Sequence, residues 1–381
     1  MTASSHNHFA LTGPLMKDLL DLTKDLMRFK SMLSRPDEIK RCVDFIERFL
    51  KDAGATCRRI EYEGVPSIAA LPAPDFASVL LMSHIDVVDA PDQLFEPVEK
   101  NGKLYGRGSI DDKYAAALSM ILFRDHLHRA MKAGRAQETL PLGILITGDE
   151  EAGGHRGAKE ALKTVRTDFC IAIDGGNMRK IVTKEKGVLN LKLISRGKAA
   201  HGSRPWLGEN AIEKLFEDYQ SMKGFFDEKA PEHWHKTINF SIIHAGKSTN
   251  QVPDLAEAVF DIRYTEYDDV DTLVKQMRDT IKGELVVEMK EPLFTGGESA
   301  YLELLLEVSK GAVLGFEHGA SDARFLKENG MPGIVWGADG DSSAHAYDEH
   351  VNLESCYELY RILDAFIGKV SEVRSSVKKF T

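Results

Sequence analysis

Four short apolar runs constrain this chain more than any other feature: VLLM from Val79, LGILIT from Leu142, FCIAID from Phe169 and GIVWG from Gly333. Runs of this length, in which VLLM shows no alternation, read as strands buried on both faces, the kind found inside a parallel sheet. Between the first two lies DDKYAAALSMILFRDHLHRAMKAG, a long helical pattern closed by Gly134. LMKDLLDLTKDLMRFK and IKRCVDFIERFLKDAG place apolar residues three and four apart, as amphipathic helices do, and Gly54 ends the second. Strand and helix in alternation predict a mostly parallel α/β sheet covered by helices, in which sites form at the carboxyl ends of the strands.

From about Gly187 the texture changes. VLNLKLISRG, TINFSIIHAG and AEAVFDIRY alternate apolar with polar residues, as antiparallel strands with one wet face do. NAIEKLFEDYQSMKGFF and VDTLVKQMRDTIKG read as helices beside them. The expected organisation is a catalytic domain in two parts, residues 1–186 and 292–381, interrupted by an α+β domain over residues 187–291. A chain of 381 residues has room for both.

Each buried strand of the first domain is followed by chemistry. After VLLMS come His84 and Asp86, which share one face because extended chain has a period of two. A histidine that donates one ring N–H to a carboxylate is oriented, and its other nitrogen becomes a good metal ligand. Taken alone, H-x-D fits a histidine satisfied by a neighbour at a strand end better than it fits a metal ligand. The rest of the chain supplies company: Asp111 and Asp112 in GRGSIDDK, Asp149, Glu150 and Glu151 after LGILIT, Asp174 after CIAI, and His345 after GIVWGADGDSS. Among 59 acidic residues some fall in loops as a matter of course. These recur at the same end of successive strands, beside glycines that suit tight turns. Two imidazoles and three carboxylates can hold two divalent ions, one carboxylate bridging, with another left over as a base. Three ligand carboxylates and a bridging hydroxide also neutralise two zinc ions, so the cluster can sit in a cleft at modest cost.

SHIDVV, GRGSIDDK, TGDEEAGG, AIDGG and SSAHAYDEHV together resemble the dinuclear-zinc amidohydrolases that include carboxypeptidase G, aminoacylase, carnosinase-like dipeptidases and succinyl-diaminopimelate desuccinylase. The resemblance runs from about Met16 to Ile367. It implies His84 on one metal with Asp174 beside it, Glu151 on one metal and His345 on the other, and Asp111 bridging both. It makes Glu150 the general base, puts Asp86 behind His84, and implies a cis peptide between Asp111 and Asp112. Where the motif usually has glycine after D-x-K this chain has Tyr114, which would narrow the site or pack against the lid. In the inserted domain GKAAHGSRPWLGENAI resembles the lid motif whose histidine, here His201, reaches the site of a partner subunit, and STNQVPDLAEAVFDIRY the segment whose asparagine, here Asn250, lies near the substrate. GASDARFL resembles a loop that recognises a substrate carboxylate, through Arg324. The other histidines, among them His6 and His8, are expected to be structural or solvated.

The resemblance implies an amide hydrolase acting on small peptides or N-acyl amino acids through a metal-bridging hydroxide, with zinc, or manganese or cobalt in its place. Asp rather than Glu at position 174 tilts the expectation toward a dipeptidase; the length and the SDARF loop look more like the desuccinylase branch. The alternative of another class is an inactive binding protein on the same fold. A net charge of −10 argues against nucleic acid or anionic membrane as partner. Scattered cysteines, Cys42, Cys57, Cys170 and Cys356, suit free thiols in a reducing compartment, and MTASSHNHFALTGPLMK lacks the pattern of a signal peptide. The expectation is a cytoplasmic homodimer joined through the inserted domain.

Overall fold

A computed structural model describes residues 13–377, so the expectation for His6 and His8 lies outside the described residues. The chain folds as two compact units, one of residues up to Thr183 with Thr295–Phe316 and Ser321 onward, the other of Lys184–Phe294 with Glu317–Ala320.

The chain enters through helices α1 (Pro14–Met27) and α2 (Pro36–Asp52). Proline stands in the first turn of each, where no amide partner is lost. In α2 the buried residues Ile39, Cys42, Val43, Ile46 and Leu50 recur every three or four positions, which is the stripe the sequence predicts. Strands β1 (Arg58–Tyr62), β2 (Val65–Ala70) and β3 (Phe76–His84) follow, then the short β4 (Val98–Lys100) and β5 (Lys103–Tyr105). Helix α3 (Lys113–Lys132) buries most of its surface, including Ala115 through Phe123 without a break. It runs through the core, and Gly134, at a φ of 69°, follows its end. Then come β6 (Leu142–Thr147), α4 (Ala158–Ala161), β7 (Arg166–Ala172) and β8 (Lys180–Glu185).

The second unit is built from β9 (Gly187–Arg196), α5 (Ala211–Lys223), β10 (Thr237–Ala245), β11 (Leu255–Tyr264), α6 (Val270–Thr280) and β12 (Glu284–Glu291). Its strands form an antiparallel sheet in the order β10-β11-β9-β12. Along β11 buried and half-buried residues alternate without exception, so one face meets the core and the other does not. Leu189, Leu191, Leu193 and Phe260 pack there with Leu215 of α5 and Leu273 and Met277 of α6. Strand β10 is an edge, with Ile242 and Ile243 exposed.

The first unit resumes with β13 (Phe294–Thr295), α7 (Ala300–Ser309), β14 (Val313–Glu317), β15 (Gly333–Val335), β16 (His350–Asn352) and α8 (Leu353–Val377). Its main sheet runs β1-β2-β6-β3-β7-β15-β8-β13, with β14 beside β8. At the centre β6, β3, β7 and β15 are mutually parallel. All but the first residue of β3 and every residue of β6 are buried, which accounts for their lack of alternation. The antiparallel pairs β1/β2, β2/β6 and β15/β8 flank that core. The protein is thus an α/β fold with an inserted α+β domain. The carboxyl ends of the four parallel strands open on one edge, and there the acids gather. No helix among the described residues is long and apolar enough to cross a membrane.

Candidate metal centre

His84 is the last residue of β3 and is almost wholly buried. Its Nδ1 faces the carbonyl oxygen of Asp86 at 3.0 Å and the Asp86 carboxylate at 3.4 Å, which turns Nε2 toward the strand-end acids. Asp111 Oδ1 lies 2.9 Å from that Nε2 and Asp174 Oδ1 3.8 Å. The second oxygen of Asp111 meets His345 Nε2 at 3.0 Å, and Glu151 Oε1 is 3.1 Å from the same nitrogen. Asp111 therefore divides its carboxylate between the two histidines. The peptide between Asp111 and Asp112 is cis.

Asp86 has a further task that the sequence does not advertise. Its Oδ1 accepts the N–H of Glu150 at 3.1 Å and its Oδ2 that of Glu151 at 3.0 Å. One fully buried carboxylate thus fixes the loop after β6 against the loop after β3. The turn that follows needs glycine: Gly154 has a φ of 65°, and a Cβ there would lie 1.9 Å from Asp322 Oδ1. Asp112, buried behind the site, accepts the backbone N–H of His84.

The charges are mutually dependent. Burial acts against a charged His84, but Asp111, Asp174 and Asp86 outweigh it and hold the imidazole well above its ordinary range. Asp111 is likewise held below the usual carboxylate range, because His345 and His84 together overcome its burial. Hydrogen bonds to Asp111 and Glu151 push His345 up to about 10. Burial and the charge of Asp174 raise Glu150 well above a normal glutamate. So many acids in one place call for positive charge, which protons or divalent cations can supply.

The donor set fits cations. Two groups of ligand atoms are close enough together to hold an ion each, His84 with Glu150 and Asp174, and Asp111 with Glu151 and His345. His84 Nε2 is buried and has no aligned hydrogen bond among the described residues although carboxylate oxygens crowd round it. Oxygens gathered off the N–H line suit a metal ligand better than a hydrogen-bond donor. The first group includes Glu150, expected as the base, and the second brings Glu151 and His345 together on one ion although the sequence reading puts them on different metals. Asp111 lies within reach of both histidines, which lets it complete the first group and leave Glu150 unliganded.

The other residues singled out by the sequence have partners of their own. Tyr114 is a core residue whose hydroxyl accepts the Ala338 N–H at 2.8 Å. The guanidinium of Arg324 is buried and donates to the carbonyls of Ser321 and Gly153, each at 2.7 Å. In this conformation it braces the turn after Glu151 instead of offering an open fork to a substrate carboxylate, with Glu150 3.9 Å away. His201 and Asn250 lie in the second unit, both exposed. His201 Nδ1 pairs with Ser203 Oγ at 2.8 Å, and Asn250 accepts from Ser248 at 2.5 Å.

A central parallel sheet whose strand ends converge two histidines and several carboxylates defines a dinuclear metallohydrolase. The description "Peptidase family M20/M25/M40" matches residues 80–369, and the chain belongs to that family as a metal-dependent amide hydrolase. It is 27% identical to a succinyl-diaminopimelate desuccinylase of Wolbachia pipientis subsp. Culex pipiens, over 92% of each chain. It is 28% identical to a succinyl-diaminopimelate desuccinylase of Xylella fastidiosa, over 91% of this chain and 98% of the relative. Among solved structures a Staphylococcus aureus tripeptidase shares the fold with a TM-score of 0.78 at 22% identity, covering 94% of this chain and 99% of that one. Human carnosine dipeptidase 1 does so with a TM-score of 0.63 at 14% identity, covering 94% and 97%.

Proposed function

We propose that the chain hydrolyses the amide bond of small peptides with two divalent ions at its strand ends. The observation that carries this reading is the Asp111 carboxylate, with one oxygen on each histidine. His84 and Asp174 would hold one ion, Glu151 and His345 the other, and Asp111 both. Zinc suits this mixed imidazole and carboxylate set, with manganese or cobalt able to replace it. Bound there, the ions would polarise the scissile carbonyl and acidify a water.

The protein's own part is proton handling and alignment. Glu150 takes the proton of the attacking water and returns it to the leaving amine. Asp86 holds Glu150 and Glu151 in register through their backbone N–H groups. His201 would reach the site of a second copy and stabilise the developing oxyanion, with Asn250 beside the substrate. That arrangement makes the active form a homodimer joined through the inserted domain.

A second reading, an N-acyl amino acid deacylase, is favoured by the named desuccinylases that align along nine-tenths of the chain. A panel of dipeptides, tripeptides and N-succinyl amino acids, assayed beside metal analysis, separates the two. Turnover confined to N-succinyl substrates would remove the peptidase reading, and no turnover of any amide by metal-loaded protein would remove both.

A further inference from the structure

The small sheet β16-β5-β4 stands apart from the strand-end pattern. It joins β5, just before Asp111, to β16, just after His345. Between these strands lies a buried ion pair. Arg107 Nη1 meets Glu349 Oε2, and the two residues are 4% and 1% exposed. Each also reaches into the site's backbone. Arg107 Nη2 donates to the carbonyl of His345 at 3.0 Å, and Glu349 Oε1 accepts the Ile110 N–H at 3.4 Å. The main chain adds a bond from the Gly106 N–H to the Glu349 carbonyl at 2.9 Å.

We propose that Arg107 and Glu349 are positioning residues that hold Asp111 and His345 in place for one ion of the pair. The inference rests on the dinuclear reading above. Three observations lead to it. His345 has a φ of 64°, a left-handed conformation that crowds Cβ against the backbone and that a non-glycine residue keeps only when its surroundings enforce it. Its side chain is 51% exposed, so packing does not do the enforcing. Arg107 bonds the His345 carbonyl directly, while its partner Glu349 grips the residue before Asp111. A buried ion pair adds little stability over apolar residues of the same volume. What apolar residues would not supply is this pair of bonds to the ligand-bearing segments. His84, packed at the end of a central strand, has no need of such a clamp.

The test is a titration of metal-stripped protein with Zn²⁺, followed by calorimetry, with circular dichroism to establish folding. The proteins are the wild type, Arg107→Lys, and the double variant Arg107→Met/Glu349→Leu, which leaves no unpaired buried charge should the single variant fail to fold. The wild type should bind two ions. The variants should lose roughly 10–100-fold in affinity for the ion on the His345 side, the usual loss when the residue behind a ligand is removed, and several-fold less for the ion on the His84 side, which shares only Asp111 with it. A residue that merely stabilised the fold would not single out one ion. A folded variant that binds both ions as the wild type does, or both equally weakly, overturns the clamp and leaves the dinuclear reading standing. A wild type that binds fewer than two overturns both.

Discussion

His84 and His345 approach opposite oxygens of one carboxylate at 2.9 and 3.0 Å, yet they are held by different means. The His84 side chain is 2% exposed, at the end of a strand that is buried along nearly its whole length. The His345 side chain is 51% exposed, on a loop with a left-handed backbone. One half of the centre inherits its geometry from the sheet. The other depends on hydrogen bonds between segments far apart in the chain. The difference sets a buried, sheet-held ligand against an exposed, loop-held one, and it points to the exposed side as the one that gives way first.

The most severe way to break the comparison is to remove what the halves share. Asp111→Ala should abolish binding of both ions, with turnover falling to background, because neither histidine keeps its bridging oxygen. Metal analysis after gel filtration checks it. Two ions retained at wild-type affinity would show that Asp111 does not bridge. Glu150→Gln should do the converse. Both halves should stay loaded while turnover drops by about 10²–10⁴-fold, the usual contribution of a positioned acid or base. Loss of an ion in this variant would instead place Glu150 in the ligand group with His84 and Asp174.

The two halves also differ in how far the sequence discloses them. His84 with Asp86, the Glu150–Glu151 pair and Asp174 can be read because each follows an apolar run long enough to register as a strand, and parallel strands end on one edge. The alternation of β9 and β11 discloses the inserted sheet in the same way. Strands β4, β5 and β16 are three residues each, too short for any periodicity to show. The Arg107–Glu349 pair spans 242 positions, and nothing local to either residue marks the other. Asp86 illustrates the same limit within the legible half. Its place beside His84 follows from spacing, but its bonds to the N–H groups of Glu150 and Glu151, about 64 positions away, depend on how two loops meet. Tyr114 and Arg324 show the same limit: a motif gives a position, whereas the partners of a side chain, here the Ala338 N–H and the Gly153 carbonyl, come from the tertiary fold.

Metal removal should sharpen the contrast. Under a chelator the ion on the exposed side should leave first, giving a population with one ion per chain before the second is lost. His345→Ala should behave from the start like that intermediate. Following metal content against time checks the order; simultaneous loss of both ions would mean that exposure of His345 does not govern release.

The smallest effect serves as a control outside both halves. Asp364 of α8 lies 3.0 Å from His126 and pairs with Arg129, both on α3. Burial works to raise the Asp364 carboxyl, but hydrogen bonds and charge from His126 and Arg129 outweigh it and bring it down from 3.8 to about 2. A carboxyl whose folded value is depressed contributes stability at pH above its unfolded value, and the contribution is lost as pH falls through the folded value. The window is therefore from about pH 4 down to about pH 2. The group is partly exposed, so solvent screening keeps the gain within about 1 kcal/mol. Asp364→Asn should accordingly lower the melting temperature at neutral pH by roughly 1–4 °C. The gap between variant and wild type should narrow as pH falls below about 4. Zn²⁺ uptake should stay at the wild-type affinity on both sides of the centre, since the pair joins two helices and touches no ligand. A variant that lost affinity on one side alone would show that the α3–α8 packing reaches that half, and the contrast between sheet-held and loop-held ligands would have to be redrawn.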